Sequence, residues 1–248
     1  MILTCIGDKL ELFDMKEDRA IKTCEVKLIN HGWVTCMSVR ENHVFIGFHQ
    51  SHKITVYDLI DFNETQSFIL HGMQICNHPC DMTVTTDRIY ACINEGKKKG
   101  YQKTIIFGDK NGRMETLSEL KEPIDGVRWY AWAITVNITL GVIAVAWSQN
   151  LDGTRKEKDA IAFYSLSSEN VSSFLIIDVD VGVDRIRISD KGDRMVTGNY
   201  ETGGVKFYDT VSLHTTILTA RGRCFVYLNI YSLCLPTKSK KIAEFRCP

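Results

Sequence analysis

Short runs of alternating apolar and polar residues, bounded by turn-forming residues, recur from one end of the chain to the other. Leu10-Glu-Leu-Phe-Asp14, Ile54-Thr-Val-Tyr-Asp58 and Val205-Lys-Phe-Tyr-Asp209 are three of them. A period of two places alternate side chains on one face of an extended strand. No long segment repeats apolar residues at steps of three and four, so the pattern predicts an all-β chain rather than a helical one.

The strand that ends in an aromatic residue recurs at intervals. Thr104-Ile-Ile-Phe-Gly-Asp109 and Ala160-Ile-Ala-Phe-Tyr-Ser165 complete the set, and Asp14, Asp58, Asp109, Ser165 and Asp209 are separated by 44, 51, 56 and 44 residues. The shorter steps match the period of about 40–45 residues for a four-stranded propeller blade, and loop insertions account for the longer ones. The expected fold is therefore a β-propeller of about five four-stranded blades, either incomplete or closed by its terminal strands. Repeats are expected over 1–220, as a partial blade at 1–28 and blades at 33–70, 80–120, 130–177 and 184–219. The atypical tail, 221–248, is either a closing strand or disordered, because Cys224 to Leu235 is strand-like while the repeat pattern stops after Gly222. Gly47, Ala91, Ala144 and Gly198 fall in second strands, where close approach between blades is expected. Tyr57, Phe107, Phe163 and Tyr208 are expected to fill the space between sheets.

The last repeat carries the fullest unit: Asp184-Arg-Ile-Arg-Ile-Ser189, the turn Asp190-Lys-Gly-Asp193, Arg194-Met-Val-Thr-Gly198, and Gly204-Val-Lys-Phe-Tyr-Asp209. This segment resembles a WD-repeat blade, with Tyr208-Asp209 at the tryptophan–aspartate position. Tyr57-Asp58 and Phe13-Asp14 stand there in earlier repeats, while His31-Gly32 inverts the family's glycine–histidine pair. The resemblance implies a β-propeller acting as a protein-interaction scaffold. The alternative is a propeller hydrolase or lyase with a metal site at the axial channel.

Composition narrows the choice. The 248 residues include 30 basic and 30 acidic side chains, so no global field draws the chain to nucleic acid or an anionic membrane. Asp8 and Lys9 interrupt the amino terminus before a signal-peptide core forms, and no run nears the roughly 18 apolar residues of a membrane span. Nine cysteines, an odd number in a chain with ample core, suit reduced thiols and a cytoplasmic location. His71, Cys76, His78 and Cys80 are metal-ligand types, but all four come from one short stretch without the second separated pair of a structural zinc site. No metal or other cofactor is expected, and a structural connector is the favoured reading. Catalysis needs a nucleophile beside a base, or paired carboxylates; Asp81, Asp125 and Asp184 are the only nominees, and turn or strand-start hydrogen bonding explains them equally well.

The sharper candidate is a protein-binding face. Propeller topology puts the hairpins between second and third strands on one face, where eight basic residues oppose five acidic ones. Lys97, Lys98, Lys99, Lys103, Arg155 and Lys156 would meet an acidic protein or peptide there, with Tyr101 as an aromatic anchor. Lysine kept for solubility is the bland reading of the same residues.

Overall fold

The computed structural model describes residues 2–6, 9–16, 19–28, 33–49, 51–70, 77–95, 102–110, 113–123, 129–149, 158–166, 172–173, 175–179, 183–199, 205–209 and 233–234. Among them there are strands and turns and no helix. Blade 1 contains β1 (Ile2–Ile6), β2 (Lys9–Lys16) and β3 (Arg19–Lys27). Blade 2 contains β4 (Val34–Arg40), β5 (His43–Phe48), β6 (Lys53–Asp58) and β7 (Glu64–Ile69). Blade 3 contains β8 (Asn77–Val84), β9 (Arg88–Glu95), β10 (Gln102–Lys110) and β11 (Arg113–Leu120). Blade 4 contains β12 (Tyr130–Asn137), β13 (Val142–Gln149), β14 (Lys158–Ser165) and β15 (Leu175–Val179). Blade 5 contains β16 (Arg185–Ile188), β17 (Arg194–Gly198) and β18 (Val205–Asp209). Successive strands within each blade pair antiparallel, giving five sheets arranged as a β-propeller. A last strand, β19 (Leu233–Cys234), lies parallel to β1 with Thr4 opposite Leu233 and Cys5 opposite Cys234.

Four apolar clusters fill the spaces between successive blades. Leu3, Leu10 and Leu28 of blade 1 meet Met37, Val44, Ile46 and Phe48 of blade 2. Ile54 and Leu70 meet Met82, Ile89 and Phe107 across the next seam. Tyr90 and Ile106 meet Trp129, Trp147 and Tyr164. Ala144, Ile161 and Phe163 meet Ile186, Met195 and Tyr208. Burying each large side chain contributes about 1.5–3 kcal/mol, so the seams rather than the individual sheets hold most of the stability. Tyr57, Phe107, Phe163 and Tyr208 are all buried, as their place at the end of third strands implies.

Pairing refines the repeat. Tyr57 lies opposite Val44, Phe107 opposite Ile89, Tyr164 opposite Ile143 and Tyr208 opposite Met195. Tyr164, not Phe163, is thus level with the other aromatics, and Gly108, not Asp109, follows Phe107 at the place of Asp58. Gly47 is required by a close approach: a Cβ there would sit 2.5 Å from Pro79 Cγ and 2.8 Å from Cys36 Sγ. Gly198 has no such constraint, since its nearest neighbour would be Arg185 Cβ at 3.9 Å.

Side chains of the innermost strands bond to the main chain of the next blade. Thr35 Oγ1 lies 2.6 Å from Pro79 O, and Arg40 donates to Thr85 O at 2.8 Å, joining blade 2 to blade 3. Thr83 donates to Ile134 O at 3.1 Å, joining blade 3 to blade 4. Asn137 donates to Ser189 O at 2.7 Å, joining blade 4 to blade 5. One link spans three blades. Asp81, 2% exposed, accepts the Ile134 N–H at 2.9 Å and both guanidinium arms of Arg187 at 3.2 and 3.3 Å. Arg187 also donates to Ile134 O at 3.2 Å, so β12 is held from both sides at one residue.

On the outer hairpin of blade 1, Lys9 and Lys22 each reach Glu25 at 2.6 Å, and Lys22 reaches Glu11 at 3.2 Å. Hydrogen bonds from Lys22 and then Lys9 bring the Glu25 carboxyl down to about 2.

Two predictions follow from these contacts. Arg187→Met leaves the Asp81 carboxylate buried without its cation, and urea unfolding should show a loss of about 2–4 kcal/mol, short of the penalty for a fully dry pair because water reaches Arg187. Adding Asp81→Asn, whose amide oxygen still accepts from Ile134 N–H, should recover most of that loss. For Glu25 the folded pKa is depressed, so its stabilisation is present above its ordinary value of 4.5 and is lost as pH falls through about 2. Because these pairs are exposed the loss should be small, and Glu25→Gln should only slightly flatten that stretch of an acid titration followed by circular dichroism.

Candidate functional site: the mouth of the axial channel

The innermost strands β4, β8, β12 and β16 begin where the second strands end. Val34 lies opposite Phe48, Asn77 opposite Glu95, Tyr130 opposite Ser148 and Arg185 opposite Gly198. The chain therefore leaves β5, β9, β13 and β17 on the same face as the starts of the inner strands, around one mouth of the channel.

Three inner strands carry one extra residue at the same level. Thr35 is extra between Val34 and Cys36, Cys80 between Pro79 and Asp81, and Trp132 between Ala131 and Ala133. A bulge of this kind turns its extra side chain out of the ladder and sharpens the local twist. In blades 2 and 3 the extra residue is small and makes an equivalent contact. Thr35 Oγ1 is 3.1 Å from Gly47 O in its own blade as well as close to Pro79 O in the next. Cys80 Sγ is 3.2 Å from Cys92 O in its own blade and 3.9 Å from Ala131 O in the next. In blade 4 the same place holds Trp132, which is 40% exposed.

A second tryptophan stands on this face. Trp33, immediately before β4, is 75% exposed and stacks on His49, with ring centroids 6.3 Å apart and planes 28° from parallel. Its carbonyl accepts the His49 N–H at 2.7 Å, which fixes the pair to the end of β5. Trp129 and Trp147, by contrast, are buried in the seam between blades 3 and 4. Two exposed aromatic surfaces thus flank the start of β8, one in blade 2 and one in blade 4.

Of the basic residues nominated from the sequence, Lys103 is described: its Nζ is 3.3 Å from Glu119 Oε2 on the neighbouring strand of blade 3. Lys97, Lys98, Lys99, Tyr101, Arg155 and Lys156 lie outside the described residues. The described strand ends flanking them, Asn94 opposite Gln102 and Gln149 opposite Lys158, are on the tryptophan face. His71, Cys76 and Asp125 also lie outside the described residues. Cys80 fills a bulge, and no group of three metal-ligating side chains occurs among the described residues. Asp81 is committed to Ile134 and Arg187, and Asp184 uses its main chain, donating N–H to Gly198 O at 2.9 Å and accepting Arg185 Nη1 at 2.7 Å. Trp33 and Trp132 were not singled out by the sequence pattern. For Trp132 the signal is a tryptophan at the bulge position that holds threonine in blade 2 and cysteine in blade 3, whereas Trp33 stands two residues before its bulge and carries no such signal.

No protein-family model matches this chain, and no curated protein matches it by sequence. Solved structures do match in fold. The Cps50 (Swd1) β-propeller domain of Myceliophteria thermophila superposes with a TM-score of 0.55 at 8% identity, over 81% of this chain and 59% of that one. The hydrazine synthase of Kuenenia stuttgartiensis superposes with a TM-score of 0.54 at 10% identity, over 85% and 63%. The Dos1 propeller superposes with a TM-score of 0.52 at 6% identity, over 82% and 50%. The Swd1 and Dos1 neighbours are WD40-type propellers. The chain spans between half and two thirds of the length of these structures, and at such identities the likeness is one of fold.

The exposure of Trp33 has a measurable consequence. Trp33→Ala should change unfolding free energy by no more than about 0.5 kcal/mol, whereas Trp147→Ala should cost about 3–5 kcal/mol. Acrylamide should quench the Trp33 fraction of the fluorescence readily and leave the buried pair protected, so Trp33→Ala should lower the quenchable fraction.

Proposed function

We propose that this propeller is a protein-interaction module of the cytoplasm, and that it takes an acidic protein or peptide segment on the face where its inner strands begin. The observation that carries the reading is the pair of exposed tryptophans, Trp33 and Trp132, on that face. Tryptophan supplies large contact area with little side-chain entropy to lose, and it is enriched among the residues that dominate binding energy. The basic residues that the sequence assigns to the neighbouring hairpins, Lys97, Lys98, Lys99, Arg155 and Lys156 above all, add a positive rim that favours acidic partners and speeds encounter. The odd number of cysteines, nine in a chain with ample core, is what favours a reducing compartment. A propeller hydrolase would need reactive groups free at the channel, and the Asp81 carboxylate is already committed on both oxygens.

The test is a fluorescence titration of the intact chain with a synthetic glutamate-rich peptide carrying one phenylalanine. Binding should shift tryptophan emission to the blue, and the joint change Lys97→Glu, Lys98→Glu and Lys99→Glu should weaken it about tenfold, or 1.4 kcal/mol, at low salt. Affinity unchanged by charge reversal, or equal affinity for a glutamine-rich analogue, would sink the acidic-partner reading.

A further inference from the structure

Two thiols lie on the same side of the first hairpin of blade 3, Cys92 within the apolar cluster between blades 3 and 4 and Cys80 packed against it. Cys80 is the extra residue of β8, set between Pro79, which lies opposite Ile93, and Asp81, which lies opposite Cys92. Its sulfur is 3.2 Å from the carbonyl oxygen of Cys92. That oxygen is within about 2.4 Å of its own Cα by standard backbone dimensions, so the Cys80 sulfur is close to the root of the Cys92 side chain. The bulge sets both Cys80 and Asp81 against the single residue Cys92, and neighbouring strands lie about 4.7–4.9 Å apart, a spacing compatible with the Cα span of about 4.4–6.8 Å that a disulfide bridges. Both cysteines are free thiols here. Cys92 is fully buried and Cys80 only partly, so a small oxidant meets Cys80 first.

We propose that Cys80 and Cys92 are a peroxide-sensitive dithiol that closes to a reversible cross-strand disulfide. The Cys80 sulfur attacks one oxygen of hydrogen peroxide and the O–O bond breaks, leaving Cys80 sulfenic acid and one water. The Cys92 sulfur then attacks the sulfenic sulfur; the S–S bond forms, the S–O bond breaks, and the departing hydroxide takes the Cys92 proton as a second water. The two sulfurs together give up two electrons, and peroxide is reduced to two waters. Burial, with the neighbouring Cys80 thiol, pushes the Cys92 thiol well up, which disfavours its thiolate and slows the second step. Proximity compensates, because the attacking and accepting sulfurs stand on adjacent strands and need no diffusive encounter. Closure also withdraws the Cys80 sulfur from Ala131 O, its contact in blade 4.

Peptide mapping tests the proposal on the intact chain. After treatment with hydrogen peroxide and blocking of remaining thiols, trypsin separates the two cysteines at Arg88, into residues 54–88 and 89–97. The expected result is a cross-linked pair of these peptides, lighter than their sum by two hydrogens and released by dithiothreitol. Because Cys76 shares the first peptide, the link should survive Cys76→Ser and vanish in Cys80→Ser. Both thiols remaining open to alkylation, Cys80 passing to sulfinic acid without a link, or a link that persists in Cys80→Ser would each overturn it, and fragmentation of the wild-type cross-linked peptide, which places the link at Cys80 or at Cys76, decides the matter even if a variant folds poorly.

Discussion

A sheet that ends at a propeller axis leaves one edge of its first strand without a partner strand, and the rest of this structure depends on how those edges are satisfied. A buried main-chain group left unpaired costs about 1–3 kcal/mol, so several open edges at one axis would erase the margin of an ordinary domain. Here the donors and acceptors come from adjacent blades. Ile134 shows the arrangement most fully: its N–H is taken by Asp81 of blade 3, and its carbonyl is met by Thr83 of blade 3 and Arg187 of blade 5. Charge serves a local purpose there. Asp81 is buried, and the bidentate arginine offsets the desolvation of its carboxylate.

The same constraint shapes the mouth of the channel. In β4, β8 and β12 a bulge frees one side chain to reach sideways, and threonine or cysteine can do so because each is short and can donate a hydrogen bond. Tryptophan at that place cannot repeat the contact that Thr35 and Cys80 make, and part of its ring stays in water. Stability alone does not select such a residue. A large aromatic surface held on a rigid strand suits recognition, since little freedom remains to be lost when something covers it.

The fold was legible in the sequence because two signals agree: alternation identifies strands, and the recurring aromatic end sets the period. The reason the inner strands were hard to read is also physical. They are buried by a neighbouring blade on each face, as Ile134 and Ala133 of β12 are in different seams, so alternation does not mark an exposed side. A bulge then shifts the phase by one residue, which is why Trp132 carries no outward label in the pattern. The Asp81–Arg187 pair joins residues 106 positions apart, a distance at which no local motif reports contact. Asp81 was legible as a notable carboxylate, but its role became clear only with the strand that passes between it and its arginine.

The ring is not uniform. Among the described residues, apolar clusters join blades 1 and 2, 2 and 3, 3 and 4, and 4 and 5. The chemistry flanking the fifth seam differs. Leu10 and Val26 point toward blade 2, so alternation turns Lys9, Glu11 and Glu25 to the other side of blade 1, where they form ion pairs in water. Ile186, Met195 and Tyr208 point toward blade 4, which turns Val196, Phe207 and the largely exposed Val205 to the other side of blade 5. The described link between the chain beyond blade 5 and blade 1 is the main-chain pairing of β19 with β1. With exposed ion pairs worth little, cohesion must be concentrated near the axis. Arg187 therefore matters beyond its own strand: it ties blade 5 to blade 3 as well as to blade 4, from the inner edge where the described contacts are densest in hydrogen bonds.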